Sequence, residues 1–207
     1  MFPKVYPITD VEIAGGSHAD QVSLLADGGA TFLQLREKKL TALDFYNEAK
    51  AALTVANQRG VTLIINDRVD VALALGAHGV HLGQDDLPAE AARKLLGEDA
   101  IIGYSTHNVS QAIAAATLPV DYVAIGPIFQ TSSKANPDPV VGLEGLRAVR
   151  KALGDMRLVA IGGITHENAA SVIDTGADSV AVISALLSGG DSAISDRYRA
   201  LARILSR

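Results

Sequence analysis

The chain has no cysteine and no tryptophan, and aromatic residues make up only 4% of its 207 positions. Without cysteine there is neither a disulfide framework nor a thiolate zinc site. Positive charge is not in excess: Lys plus Arg total 18 against 23 Asp plus Glu, for a net charge of −5. That argues against a nucleic-acid partner held by a general basic surface, although a few local cations suffice for a small phosphorylated substrate. No apolar run approaches the ~20 residues that span a bilayer, and Met1-Phe2-Pro3-Lys4 opens no apolar signal segment. The remainder, 48% hydrophobic and 20% charged, is the composition of a soluble globular protein. A cytoplasmic location with no membrane partner is the expectation. The sequence leaves oligomeric state open, a homo-oligomer included.

What is present is a regular alternation. Apolar, β-branched runs at Lys4–Thr9, Thr31–Arg36, Leu63–Ile65, Gly79–Leu82, Ile101–Tyr104, Asp121–Ile125, Leu158–Ile161 and Ser179–Ile183 read as strands. Between them, helical spacing predicts helices from Ser17 to Ala26, Leu43 to Asn57, Val69 to Leu75, Leu87 to Leu96 and Ser110 to Thr117. Further helices are expected over Leu143–Leu153, Thr165–Thr175 and Ile194–Leu205. Gly28-Gly29-Ala30, Gly76-Ala77-His78 and Gly176-Ala177-Asp178 each close a helix just before a strand. Alternation of this kind predicts an α/β protein with a parallel sheet, and eight strands with eight helices fit a (β/α)8 TIM barrel formed by a single domain over residues 1–207. A doubly wound open sheet is the alternative, but nothing like G-x-G-x-x-G follows the first strand.

In a barrel, chemistry belongs at the C-terminal ends of the strands. Those positions hold Gln34, Arg36 and Lys38, then Asn66 and Asp67, then Gln84, Asp85 and Asp86, then Ser105. The long loop Ile128–Val141, with Thr131-Ser132-Ser133-Lys134, follows the sixth strand; Gly162-Gly163 and Ile183-Ser184 follow the seventh and eighth. Acids ending adjacent strands lie about 5 Å apart, a spacing that lets Asp67 and either Asp85 or Asp86 share one Mg²⁺. The alternative is that Asp67 caps the following helix and the other two begin a turn. Arg36, Lys38 and Lys134 beside a metal suit a pyrophosphate. Gly162-Gly163 with Ile183-Ser184 suits a separate monophosphate, bound by backbone N–H groups.

Taken in order, Tyr6-Pro7-Ile8-Thr9-Asp10, Gln34-Leu35-Arg36-Glu37-Lys38, Ile65-Asn66-Asp67 and His81-Leu82-Gly83-Gln84-Asp85-Asp86 form one set of motifs. Gly126-Pro127-Ile128-Phe129, Thr131-Ser132-Ser133-Lys134, Ile161-Gly162-Gly163-Ile164 and Val182-Ile183-Ser184 complete it. Together they resemble the thiamine-phosphate synthase family over essentially the whole chain. The resemblance implies a Mg²⁺-dependent enzyme that condenses 4-amino-2-methyl-5-hydroxymethylpyrimidine diphosphate with 4-methyl-5-(2-hydroxyethyl)thiazole phosphate, or its carboxylated form. The products are thiamine phosphate and pyrophosphate, with carbon dioxide also leaving when the carboxylated form reacts, by a dissociative mechanism. It implies that Gln34, Arg36, Lys38, Asn66, Ser105 and Lys134 bind the pyrimidine diphosphate, with Arg36, Lys38, Ser105 and Lys134 catalytic. Asp67 and Asp86 would hold Mg²⁺, and Thr131, Ser133, Gly163, Ile183 and Ser184 the thiazole phosphate.

Ser133 stands where the family more often has threonine, which keeps the hydroxyl. Asn66-Asp67-Arg68-Val69-Asp70 also echoes thiazole tautomerase relatives, but Lys38, Asp67 and Asp86, which a tautomerase would not need, are all present. His81, inside a strand, reads as a satisfied core histidine ahead of a catalytic one, and His107 fits a turn as well as the rim.

Overall fold

The computed structural model describes residues 2–131, 138–190 and 193–206. Eight strands form a closed barrel in which each strand pairs in parallel with its neighbours in sequence and β8 closes onto β1. They are β1 (Val5–Thr9), β2 (Phe32–Leu35), β3 (Thr62–Asn66), β4 (Gly79–Leu82), β5 (Ile101–Thr106), β6 (Tyr122–Ile125), β7 (Leu158–Ile161) and β8 (Ser179–Val182). The helices among the described residues begin with α1 (Val11–Ala14), α2 (His18–Asp27), α3 (Ala42–Arg59), α4 (Val69–Leu75) and α5 (Ala89–Leu96). They continue with α6 (Val109–Ala115), α7 (Gly142–Leu153), α8 (Ala169–Asp174), α9 (Ser184–Leu187) and α10 (Ile194–Leu205). The expected TIM barrel is the fold observed.

Period-two alternation explains how short strands serve two cores. Leu33, Leu35, Leu63, Ile65, Val80 and Leu82 face outward into the layer between barrel and helices. Their neighbours Phe32 and Ile64 turn inward and join Tyr6, Ile8, Tyr122, Ala124, Val159 and Ala181 inside the barrel. The inward register continues upward through Gln34, Asn66, His81 and Ser105, the polar layer nearest the strand C-termini. Phe2 plugs the opposite end, its ring 4.9 Å from Phe32 and 5.4 Å from Tyr122, with the Arg157 guanidinium over it.

Two helices depart from the sequence reading by their presence. α1 and α9 are four residues long, too short to show a helical period. α8 starts at Ala169 and not at Thr165, because Thr165 N–H donates to Asn168 Oδ1 and holds residues 165–168 in a turn. β5 runs two residues beyond Tyr104, since the Thr106 hydroxyl donates to Ala124 O and extends the pairing. The ends of the long loop are tied to the barrel where they are described: Val141 N–H donates to Pro127 O, and Gly142 N–H to Ile128 O.

Candidate active site

The C-terminal mouth of the barrel opens into a cavity of about 570 Å³. Gln34, Arg36, Lys38, Asn66, Asp67, Asp86, Ser105, Thr131, Gly163, Ile183 and Ser184 all line it, so the structure brings together every expected site residue that it describes. Ser133 and Lys134 lie outside the described residues. Ala124, Gly126 and Ala181 line the same cavity, and their small side chains leave its volume open.

The acidic corner is built by backbone conformation. Asp67 has φ 63°, the left-handed region that non-glycine residues seldom occupy. Its N–H donates to His81 O, which ties the end of β3 to β4. Asp67 does not cap α4: that helix has Arg68 at its N-cap and no side-chain cap hydrogen bond. The carboxylate instead accepts from Lys38 Nζ at 2.5 Å and meets the Asp86 carboxyl. Asp86 is held in turn by the Gly83 N–H, which donates to its Oδ2 at 2.6 Å. Burial, and then the negative charge of Asp67, pushes Asp86 above the ordinary carboxyl range, against the lowering pull of the Gly83 N–H. Asp85 is exposed on the same turn, so the structure joins Asp86, and not Asp85, to Asp67.

Two carboxyls in contact resist joint ionisation; Lys38 offsets part of the repulsion from one side, and a divalent cation between the two would offset the rest. Among the described residues no group of three or more His, Cys, Asp or Glu side chains could hold a metal ion. Two carboxylates, with substrate oxygens and water completing the shell, is how Mg²⁺ is commonly bound. The residues present therefore fit the ion.

The cationic side rests on Asp10, the last residue of the Tyr6-Pro7-Ile8-Thr9-Asp10 motif, to which the sequence assigns no role of its own. Its Oδ1 accepts from the N–H groups of Glu12 and Ile13 and caps α1, while its Oδ2 accepts from Arg36 Nη1 at 2.8 Å. One carboxylate thus starts a helix and aims a guanidinium at the cavity. Glu37 shapes the next turn by accepting from the N–H groups of Lys38 and Lys39. Burial alone would raise Glu37, but these donors and His18 outweigh it and hold the carboxyl low. Burial holds His18 below its usual value, so its 3.4 Å contact with Glu37 is a hydrogen bond from a neutral ring, the other nitrogen accepting from the Thr9 hydroxyl.

His81 is both core and site. It is only 7% exposed yet lines the cavity, with Nε2 2.8 Å from Ser105 Oγ and Nδ1 2.9 Å from the Tyr122 hydroxyl. Burial lowers its pKa to about 4, so the ring is neutral near pH 7. His107 also lines the cavity and is fixed by Gly126 O, 2.8 Å from its Nδ1. Arg68 turns away to Asp70 and the Phe45 ring, a structural role.

Across the mouth, Gly162 and Gly163 have φ 100° and 65°. A Cβ on Gly163 would lie 2.4 Å from Gln130 O, so glycine there also lets β7 press against the start of the long loop. Ser184 opens α9; Leu186 and Leu187 N–H donate to Ile183 O, which leaves the N–H groups of Ser184 and Ala185 as those at the helix start without an intrahelical acceptor. The mouth therefore has a cation-and-acid side on β1 to β4 and a backbone-donor side on β7 and β8.

Residues 5–186 match the family described as Thiamine monophosphate synthase. The chain belongs to the thiamine monophosphate synthase family. It is 52% identical over 190 residues to a thiamine-phosphate synthase of Koribacter versatilis, covering 89% of each chain. It is 47% identical over 189 residues to one of Clostridium novyi, covering 91% of this chain and 92% of that one. A solved thiamine phosphate pyrophosphorylase from Pyrococcus furiosus superposes with a TM-score of 0.87 at 34% identity, covering 98% of this chain and 95% of the other. The family match spans all the strands and every residue of the cavity named above.

Proposed function

We propose that this member of the family joins 4-amino-2-methyl-5-hydroxymethylpyrimidine diphosphate to 4-methyl-5-(2-hydroxyethyl)thiazole phosphate, or to its carboxylated form with the carboxyl leaving as carbon dioxide, and gives thiamine phosphate and pyrophosphate. The observation that carries the reading is the two-sided mouth: Arg36, Lys38, Asp67 and Asp86 gather on one side, and Gly163 with Ile183-Ser184 on the other. A diphosphate suits the first side and a monophosphate the second.

Gln34 and Asn66, buried on the inward face of β2 and β3, offer paired donors and acceptors to the aminopyrimidine ring. Arg36 and Lys38 neutralise the departing pyrophosphate, and Ser105 adds a neutral hydroxyl. Asp67 and Asp86 would hold Mg²⁺, which when bound supplies positive charge to the leaving phosphate oxygens. Lys134 and Ser133 keep the roles that the resemblance gives them, at the pyrophosphate and the thiazole phosphate. The electron-rich pyrimidine bears the positive charge left when its C–O bond breaks, and the thiazole nitrogen then bonds to the methylene carbon. The protein contributes positioning and charge compensation, with no covalent nucleophile.

We also propose a cytoplasmic location, supported by substrates too highly charged to enter hydrocarbon unaided. No described helix is long and apolar enough to cross a membrane. The test of the reaction is to mix the purified protein with both substrates and Mg²⁺. Thiamine phosphate in the mass spectrum is the expected result; recovery of both substrates unchanged would refute the reading.

A further inference from the structure

Beneath the charged rim a line of hydrogen bonds crosses the barrel interior. Gln34 Nε2 donates to the Tyr6 hydroxyl at 3.1 Å, and the Tyr6 and Tyr122 hydroxyls are 2.9 Å apart. The Tyr122 hydroxyl is 2.9 Å from His81 Nδ1, and His81 Nε2 is 2.8 Å from Ser105 Oγ. Five strands contribute one residue each, and all but Ser105 are buried. Gly103 makes room for the line: a Cβ there would lie 2.0 Å from Tyr122 Cζ. The His81 and Tyr122 rings stack with centroids 5.5 Å apart and planes 24° from parallel.

The line has a direction. Burial pushes both phenols well above their ordinary pKa, so each hydroxyl keeps one proton to donate. Tyr6 accepts from Gln34, and Tyr122 is the acceptor that its own proton then has within reach. Tyr122 then donates to His81 Nδ1, which puts the proton of the neutral imidazole on Nε2. Nε2–H donates to Ser105 Oγ, and the Ser105 proton is left for the cavity. Running the line backwards would point the Tyr6 O–H at the Gln34 amide N–H, two buried donors head to head. A buried donor left without an acceptor is strongly disfavoured.

We infer that Tyr122 is a positioning residue: through His81 it fixes Ser105 as a hydrogen-bond donor to an acceptor oxygen of the bound substrate. That the acceptor belongs to the diphosphate rests on the proposed function. The direction of the line does not, and it can be measured without turnover.

Nitrogen-15 NMR of the full chain labelled at histidine reads the tautomer directly. The His81 ring should show a protonated Nε2 and a bare Nδ1; the opposite tautomer in the wild type would overturn the inference. Tyr122→Phe should shift the ring toward a mixture of tautomers and lower kcat/KM for the diphosphate about tenfold. KM for the thiazole phosphate should stay near its original value. Ser105→Ala should show a similar loss, and the double variant little more than either alone. Fully additive losses would contradict a shared line. Tyr6→Phe leaves the Tyr122 hydroxyl able to donate to His81, so its effect should be the smaller; a larger one would count against the stated direction. If the wild type formed no thiamine phosphate, the proposed function would fail while the NMR measurement still decided the tautomer.

Discussion

Asp67 and Asp86 carry the acidic corner from two strands, and each is placed by a backbone feature: a left-handed φ for the first and the Gly83 N–H for the second. Asp86→Asn and Asp67→Asn should each slow turnover by about 10²–10³-fold and weaken its dependence on Mg²⁺. Steady-state rates across a Mg²⁺ titration check this. Asp85→Asn should remain close to wild type, and a dead Asp85→Asn beside a fully active Asp86→Asn would reassign the pair. Asp10 joins two links in one residue, capping α1 and anchoring Arg36. Asp10→Ala should cost about 1 kcal/mol of stability as a lost cap, read from urea melts. It should also raise KM for the diphosphate in the same direction as Arg36→Ala, with the thiazole phosphate much less affected. Gly163 is a poor probe of the monophosphate side, because any side chain there meets the backbone of Gln130 before it meets a ligand.

Among the elements, those with continuous apolar runs or a clean helical period were legible from sequence: β4, β7, α4 and α10 have the bounds that pattern predicts. The four-residue α1 and α9 were not, since one turn carries no period and Asp10 looks like any turn residue. The residues that line the mouth were legible because strand ends are few and chemically biased, and the family resemblance covered the full length. It also named Asp86, where spacing alone left Asp85 and Asp86 equivalent. What could not be read was the barrel interior. Tyr6, Tyr122 and His81 are 116 and 41 positions apart along their two contacts, and only the closed register brings them together. Glycines within strands were silent for the same reason. At Gly79 a Cβ would lie 2.0 Å from Ile101 O on β5, a backbone atom that cannot rotate away. Gly79→Ala should therefore destabilise the fold by about 1–3 kcal/mol or more, as a lower urea midpoint with an unchanged slope. A neutral effect would mean that β4 and β5 can separate without loss.

For the molecule as a whole, the polar layer that serves the mouth also makes stability depend on pH. His81 is neutral in the fold with a pKa of about 4, against an ordinary value of 6.5 in the unfolded chain. Below 6.5 the unfolded chain takes up a proton that the fold refuses, so stability is complete above that value and is lost as pH falls toward 4. Between about pH 7 and pH 5 the loss from this ring is on the order of 2 kcal/mol. His18, lowered by burial, adds in the same direction. Urea melts at the two pH values should show this fall in the wild type and a smaller one in His81→Gln; equal falls would assign the effect elsewhere. In the proposed reaction the mouth ejects pyrophosphate from the pyrimidine before the thiazole bonds to it. Replacing the pyrimidine methyl group with trifluoromethyl keeps the shape almost unchanged while withdrawing the electrons that would bear the positive charge. The measurement is the single-turnover rate of this analogue beside the natural diphosphate, with chemistry shown to be limiting and binding checked separately. A severe slowing with binding retained is the result predicted; reaction at nearly the native rate would contradict it.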